Sequence, residues 1–169
     1  MMAESVLLLA VFMKKIKVSI VGVGNCASAI VQGVHYYTDR EADDSIGLTA
    51  YNLGGFEPKD IEFVSAFDVD KEKVGEDLSK AIFKAPNNTN KITDVPKIEV
   101  KVQKGPVLDG IGKYVTQTVK IDDEQPKNIA RSIQDSGAEI VLSYLPVGST
   151  AATKFYAEQS LRAGAAFIN

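Results

Sequence analysis

The stretch Lys15 to Val34, KIKVSIVGVGNCASAIVQGV, constrains the fold of this chain more than any other. Ile16, Val18, Ile20 and Val21 make a β-branched run that suits a buried parallel strand. Ala27, Ile30, Val31 and Val34 then recur at helical spacing. Between the two lies Gly22-Val23-Gly24-Asn25-Cys26-Ala27, a match to G-x-G-x-x-G/A in the strand-to-helix context that gives the pattern its meaning. Gly22 permits the tight turn, Gly24 has no side chain to block a pyrophosphate, and Ala27 is small enough for helix to pack on sheet. The free amides and dipole at the helix start face the phosphates.

The remaining text alternates in the same way. Residues 38–60 are polar and glycine-containing and predict a long loop. A second strand is expected over 61–67, closed by Asp68, and a helix over 71–83 with Val74, Leu78, Ala81 and Ile82 on one side. PNNTNKITDVP reads as a loop, residues 98–103 as a half-exposed strand, and KGPVLDGIGKY as turn-rich. A short helix over 126–136, a strand over 138–145, a helix over 149–163 ended by Gly164, and a strand over 165–169 follow. Strands alternating with helices predict a doubly wound α/β fold with a parallel sheet, a Rossmann-type dinucleotide-binding domain over residues 13–169.

Composition excludes several classes. The chain has 169 residues and a net charge of −3, with 45% hydrophobic and 24% charged residues, as a folded domain requires. The slightly acidic balance argues against a nucleic-acid partner. Residues 5–12, SVLLLAVF, are too short an apolar run to span a bilayer, and Glu4 before them with Lys14, Lys15 and Lys17 after them is the wrong charge order for export. Residues 1–12 are therefore read as an extra N-terminal segment ahead of Met13, or as an added edge strand or helix. One cysteine makes no internal disulfide, which suits the cytoplasm.

An acid at the end of the second strand is expected to hydrogen-bond an adenosine ribose, and Asp68 stands there with Asp70 two residues on. The ordinary offset is about 20 residues from the fingerprint, whereas Asp68 lies 46 beyond Gly22; the 38–60 loop absorbs the excess. An acid there favours NAD over NADP, and Asp68 could also cap a helix over 71–83. Ser143, Tyr144, Leu145, Pro146 and Val147 follow a strand across the switch point, where loops line a cofactor crevice. Ser149 reads as an N-cap, and Tyr156 and Asp77 are ambiguous between packing or solvation and cofactor contact. Cys26 has no resolving partner and suits the turn by size; His35, the sole histidine, has no second ligand or catalytic neighbour. No acid–base pair and no zinc-ligand spacing stands out.

Taken together, VGVGNCASAIVQGV, FVSAFDVDKEKVGEDLSKAIF, the Asn87-Asn88-Thr89 turn, KGPVLDGIGKY and LSYLPVGS make a chain that resembles the inositol-3-phosphate synthase family in its shorter bacterial and archaeal form, over residues 14–169. The resemblance implies an NAD-dependent isomerase that converts D-glucose 6-phosphate to 1D-myo-inositol 3-phosphate by oxidation, enolisation with aldol closure, and re-reduction. It also implies a homotetramer. By position it implies pyrophosphate contacts at Gly22, Gly24, Asn25, Cys26 and Ala27, a ribose contact at Asp68, cofactor contacts along Ser143 to Val147, and further contacts at Asp77 and Tyr156. Catalytic lysines are expected in a second region that this sequence does not contain, so Lys14, Lys104 and Lys113 receive no role. Two other readings remain open: a stand-alone NAD-binding regulatory module without catalysis, and a dehydrogenase with an unrelated substrate domain.

Overall fold

The β-branched run at the start of the chain sits in the middle of the sheet. The computed structural model describes residues 15–38, 40, 46–112 and 115–169; the 1–12 segment, Met13, Lys14, Lys113 and part of the 38–60 loop lie outside the described residues. Strand β1 (Ile16–Val21) leads into helix α1 (Asn25–Thr38), then come β2 (Ile61–Asp68), α2 (Leu78–Ala81), β3 (Val102–Lys104), α3 (Ile129–Ser136), β4 (Ile140–Ser143), α4 (Thr150–Arg162) and β5 (Ala166–Ile168). The five strands form one sheet in the order β3-β2-β1-β4-β5, and every neighbouring pair is parallel. This is the doubly wound arrangement expected from the alternation.

Both faces of the sheet are covered, which is why its strands carry apolar residues on both sides. Val18 and Ile20 of β1 pack with Val31 and Val34 of α1 and with Leu78 and Ile82 on one face. Val21 and Phe67 pack with Ile129 and Ile133 of α3 and Tyr156 of α4 on the other. A polar seam crosses the second face. Ser65 Oγ donates to Ser19 Oγ at 2.9 Å and lies 3.2 Å from the half-buried Ser136 Oγ, so the buried Ser19 and Ser65 hydroxyls are satisfied.

The largest departure from expectation is the helix over 71–83, of which only Leu78–Ala81 is helical. The Asp70 carbonyl accepts from Lys73 and Val74 N–H in a turn, and Gly75 breaks the run at φ +84°. Gly75 and Glu76 then exchange backbone hydrogen bonds with Val102 at 2.8 and 2.9 Å, and Leu78 N–H donates to the Val100 carbonyl at 2.7 Å. Pairing with the approach to β3 has displaced intrahelical bonding. The strand expected over 98–103 is shifted to Val102–Lys104 for the same reason: Asp77 takes the N–H groups of Ile98 and Glu99 at 3.2 and 2.8 Å, and Glu99 adopts φ +66°. Elsewhere helices and strands match the expected ranges to within a few residues. Gly164 ends α4 at φ +80°, in the left-handed conformation that favours glycine.

Candidate functional site

The strand order reverses between β1 and β4, and an open α/β sheet leaves its ligand crevice beyond the strand ends at that point. A cavity of about 370 Å³ lies there, within the size range of small-molecule sites. Gly22, Gly24, Asn25 and Cys26 form one wall, Asp68 stands at the end of β2, and Tyr144, Leu145, Pro146 and Tyr156 close the side of β4 and α4.

The glycines have distinct roles. Gly22 sits at φ +84°, and a Cβ there would lie 2.9 Å from the Tyr144 carbonyl oxygen. The turn therefore needs glycine to pass the β4 strand end, whose Tyr144 N–H donates to the Val21 carbonyl at 2.8 Å. At Gly24 a Cβ would meet nothing within 4 Å, so the missing side chain leaves open space where a phosphate would approach. Ala27 is fully buried behind the turn, where it packs helix against sheet. Cys26 is exposed at the start of α1.

Asp68 does not cap a helix, because none begins at 71. Its Oδ2 accepts the Val23 N–H at 2.7 Å, and its Oδ1 accepts the N–H groups of Val69 and Asp70 at 2.7 and 2.9 Å. The acid at the end of β2 thus fastens the glycine turn to the neighbouring strand. A carboxylate has about four lone-pair sites, which leaves Asp68 one for a ribose hydroxyl. Asn25 is similarly engaged. Its Oδ1 accepts from Asn88 N–H at 2.9 Å, Thr89 N–H at 3.2 Å and Thr89 Oγ1 at 3.0 Å, while its Nδ2 donates to Asn88 Oδ1 at 2.8 Å. Asn25 is a clasp that holds the 86–90 segment over the turn.

The other candidates divide. Tyr156 is buried in the cavity wall, and a Cβ at Gly105 would overlap its hydroxyl. Burial, then the Asp68 charge, pushes the phenol above its ordinary range, so Tyr156 stays neutral. Ser143 is buried outside the cavity wall with Oγ accepting and donating no hydrogen bond, and Val147 projects fully into solvent. Asp77 lies outside the cavity wall. Burial raises its pKa, but hydrogen bonds from Ser79, Ile98 and Glu99 outweigh that and hold it below the ordinary aspartate value. Its observed work is to cap α2 and pin the 98–99 backbone. Ser149 makes no side-chain cap to α4; Asp109 reaches across instead and accepts from Ala152 N–H at 2.9 Å and Ala151 N–H at 2.6 Å. Those amides hold the Asp109 carboxyl below its usual range.

Sequence reasoning missed Lys73, Asn87 and Asp109 as wall residues. The consecutive Asn87-Asn88-Thr89 and the turn-rich 104–114 stretch were the available signals, but neither has a period that assigns a contact.

Comparison with known proteins decides the relationship. No protein-family model matches the chain. It is 49% identical over 156 residues to inositol-3-phosphate synthase of Mycolicibacterium smegmatis, covering 92% of this chain and 43% of that protein. The chain is a partial relative of inositol-3-phosphate synthase. The Mycobacterium tuberculosis synthase is 48% identical over the same span, with 42% of its length covered. The Corynebacterium glutamicum synthase is 44% identical over 155 residues, with 43% covered. The chain therefore spans less than half the length of the synthases it matches. The crystal structure of Ari2 superposes with a TM-score of 0.75 at 29% identity, over 92% of this chain and 45% of that one. A myo-inositol-1-phosphate synthase-related protein of Thermotoga maritima shares the fold, with a TM-score of 0.54 at 21% identity over 78% of this chain and 34% of that one.

Proposed function

We propose that this cleft binds NAD, and that the chain is the cofactor-binding part of a protein that converts D-glucose 6-phosphate to 1D-myo-inositol 3-phosphate. The observation that carries this reading is the near-half identity to the synthases across a segment that contains the whole cleft. The open space above Gly24 and the acid at the end of β2 fit a dinucleotide. The turn from Gly22 to Cys26 would receive the diphosphate on backbone N–H groups, with Ala27 setting the helix behind it. Asp68 would accept a ribose hydroxyl, and its charge would disfavour the 2′-phosphate of NADP. Tyr144, Leu145 and Pro146 would bound the remainder of the cofactor, Tyr156 would supply a neutral hydroxyl beside Asp68, and Ser143 would support that wall. NAD bound there supplies a hydride acceptor and afterwards a hydride donor.

The residues that act on the sugar belong to the part of the synthases outside this match, and we infer that the complete protein is a cytoplasmic homotetramer. Among the described residues no helix is long and apolar enough to cross a membrane. The test has two stages. Calorimetric titration of the 169-residue chain is expected to show NAD binding with NADP much weaker, and absence of NAD binding sinks the cofactor reading. Cyclisation of glucose 6-phosphate is expected from the native protein of the source cells and not from this chain alone. Cyclisation by the isolated chain would contradict the division of labour, and NAD binding without any cyclisation by the native protein would favour a regulatory module.

A further inference from the structure

We propose that Lys73 is the cation of an anion site in this cleft, which takes a diphosphate group against the glycine turn; the identity of that diphosphate as part of NAD rests on the reading above. The residue stands out because its buried pairing is incomplete. Lys73 is 4% exposed and Asp70 2%. The ammonium donates to Asn87 Oδ1 at 3.0 Å and lies 3.8 Å from Asp70 Oδ2. Asp70 Oδ2 accepts no hydrogen bond, and the other carboxylate oxygen takes only the Glu72 N–H at 3.1 Å. An ammonium has three donors, and among the described residues only the Asn87 bond is made.

A buried ion pair offsets its desolvation only when its geometry is close and its remaining donors and acceptors are filled. This pair meets neither condition by itself, so the ammonium keeps donors that a ligand in the cavity can take. Its position says which ligand. Lys73 and Asn87 line the same cavity as Gly22 and Gly24, and Asn87 Nδ2 donates to the Val23 carbonyl inside the turn at 3.0 Å. The ammonium is therefore two hydrogen bonds from the backbone that a diphosphate would meet. Lys73 is the one cation among the described lining residues, which also include three carboxylates: Asp68 and Asp109 accept backbone N–H groups, and Asp70 lies beside the ammonium. Phosphate oxygens would fill the unspent donors with charge-assisted hydrogen bonds.

The experiment titrates the full 169-residue chain with NAD and, separately, with inorganic pyrophosphate. Lys73→Met is expected to weaken both by about tenfold to hundredfold, the range for hydrogen bonds to a charged group. Lys73→Met strands Asp70, so Asp70→Asn with Lys73→Met is tested as well; removing both charges spares the fold and should weaken both ligands to the same extent. If the wild type binds NAD and the variants bind it equally well, the Lys73 assignment is wrong and the cofactor reading stands. Pyrophosphate binding that is lost in the variants, without NAD binding in the wild type, supports the cation site and removes the cofactor reading. A wild type that binds neither ligand overturns both. The ammonium resonance of Lys73 in the wild-type chain probes the same contact without a substitution: it shifts with pyrophosphate if the assignment is right, and an unmoved resonance overturns it.

Discussion

The two walls of the cleft are built in opposite ways. The wall from Gly22 to Ala27 is contiguous: six consecutive residues turn the chain from β1 into α1, Gly22 placed by its conformation and Ala27 by its size, while Val23 and Asn25 are also fastened to distant residues. The facing wall is assembled from Asp68, Lys73, Asn87 and Asp109, which the chain brings together across long separations through side-chain hydrogen bonds. A contiguous wall tolerates nothing at its turn. A non-local wall spreads its stability over several bonds, so single losses should loosen it in graded steps.

The sharpest way to break this contrast is at Gly22. Gly22→Ala forces a side chain into φ +84° and places Cβ 2.9 Å from the Tyr144 oxygen. Strain of this kind costs about 1–3 kcal/mol, and displacement of the turn should abolish NAD binding as well; chemical denaturation and calorimetry on one sample test both. A variant with unchanged affinity would mean that the turn is not the cofactor wall.

Asn87→Ala is the intermediate case. It removes the acceptor of Lys73 and the donors to the Val23 and Ile82 carbonyls. Buried polar groups left unsatisfied cost about 1–3 kcal/mol, and the protein should still fold. The midpoint of urea unfolding is expected to fall, with faster amide exchange confined to 86–90 and the glycine turn. Uniformly faster exchange would mean that the two walls are not separable.

The smallest effect is expected at Asp77, which serves the scaffold behind the cleft. Loss of a helix-capping side chain costs about 1 kcal/mol, and Asp77→Ala should leave NAD affinity unchanged. Since the folded pKa of Asp77 lies below the ordinary value of 3.8, its contribution is complete above that value and is lost as pH falls through the folded pKa. The stability gap between wild type and variant should therefore be constant near neutrality and close only in strong acid. A gap that closes between pH 5 and 7 would mean that a different group titrates, and a changed NAD affinity would return Asp77 to the cofactor site.

The same contrast explains what could be read in advance. The fold class, the glycine turn and Asp68 at the end of β2 were legible because strand and helix periodicity, a tight turn and a strand terminus are each written in neighbouring residues. Asn25 was legible as part of the turn but not as a clasp, since its partners Asn88 and Thr89 lie far along the chain. The 71–83 segment shows the limit most clearly. Its apolar spacing is helical, yet Gly75, Glu76 and Leu78 found backbone partners at Val100 and Val102. Asp77, which a continuous helix would have left ambiguous between solvent and cofactor, became a cap for two segments at once.

Hydrophobic period, glycine placement and charge order are local quantities, and they sufficed for a doubly wound domain with a glycine turn at its first crossover. Which polar groups meet across the crevice is a property of chain segments dozens of residues apart. Buried donors and acceptors are satisfied only by the partners that tertiary packing delivers, so the Asp70, Lys73 and Asn87 wall and the Asp109 cap of α4 were decided by the folded structure alone.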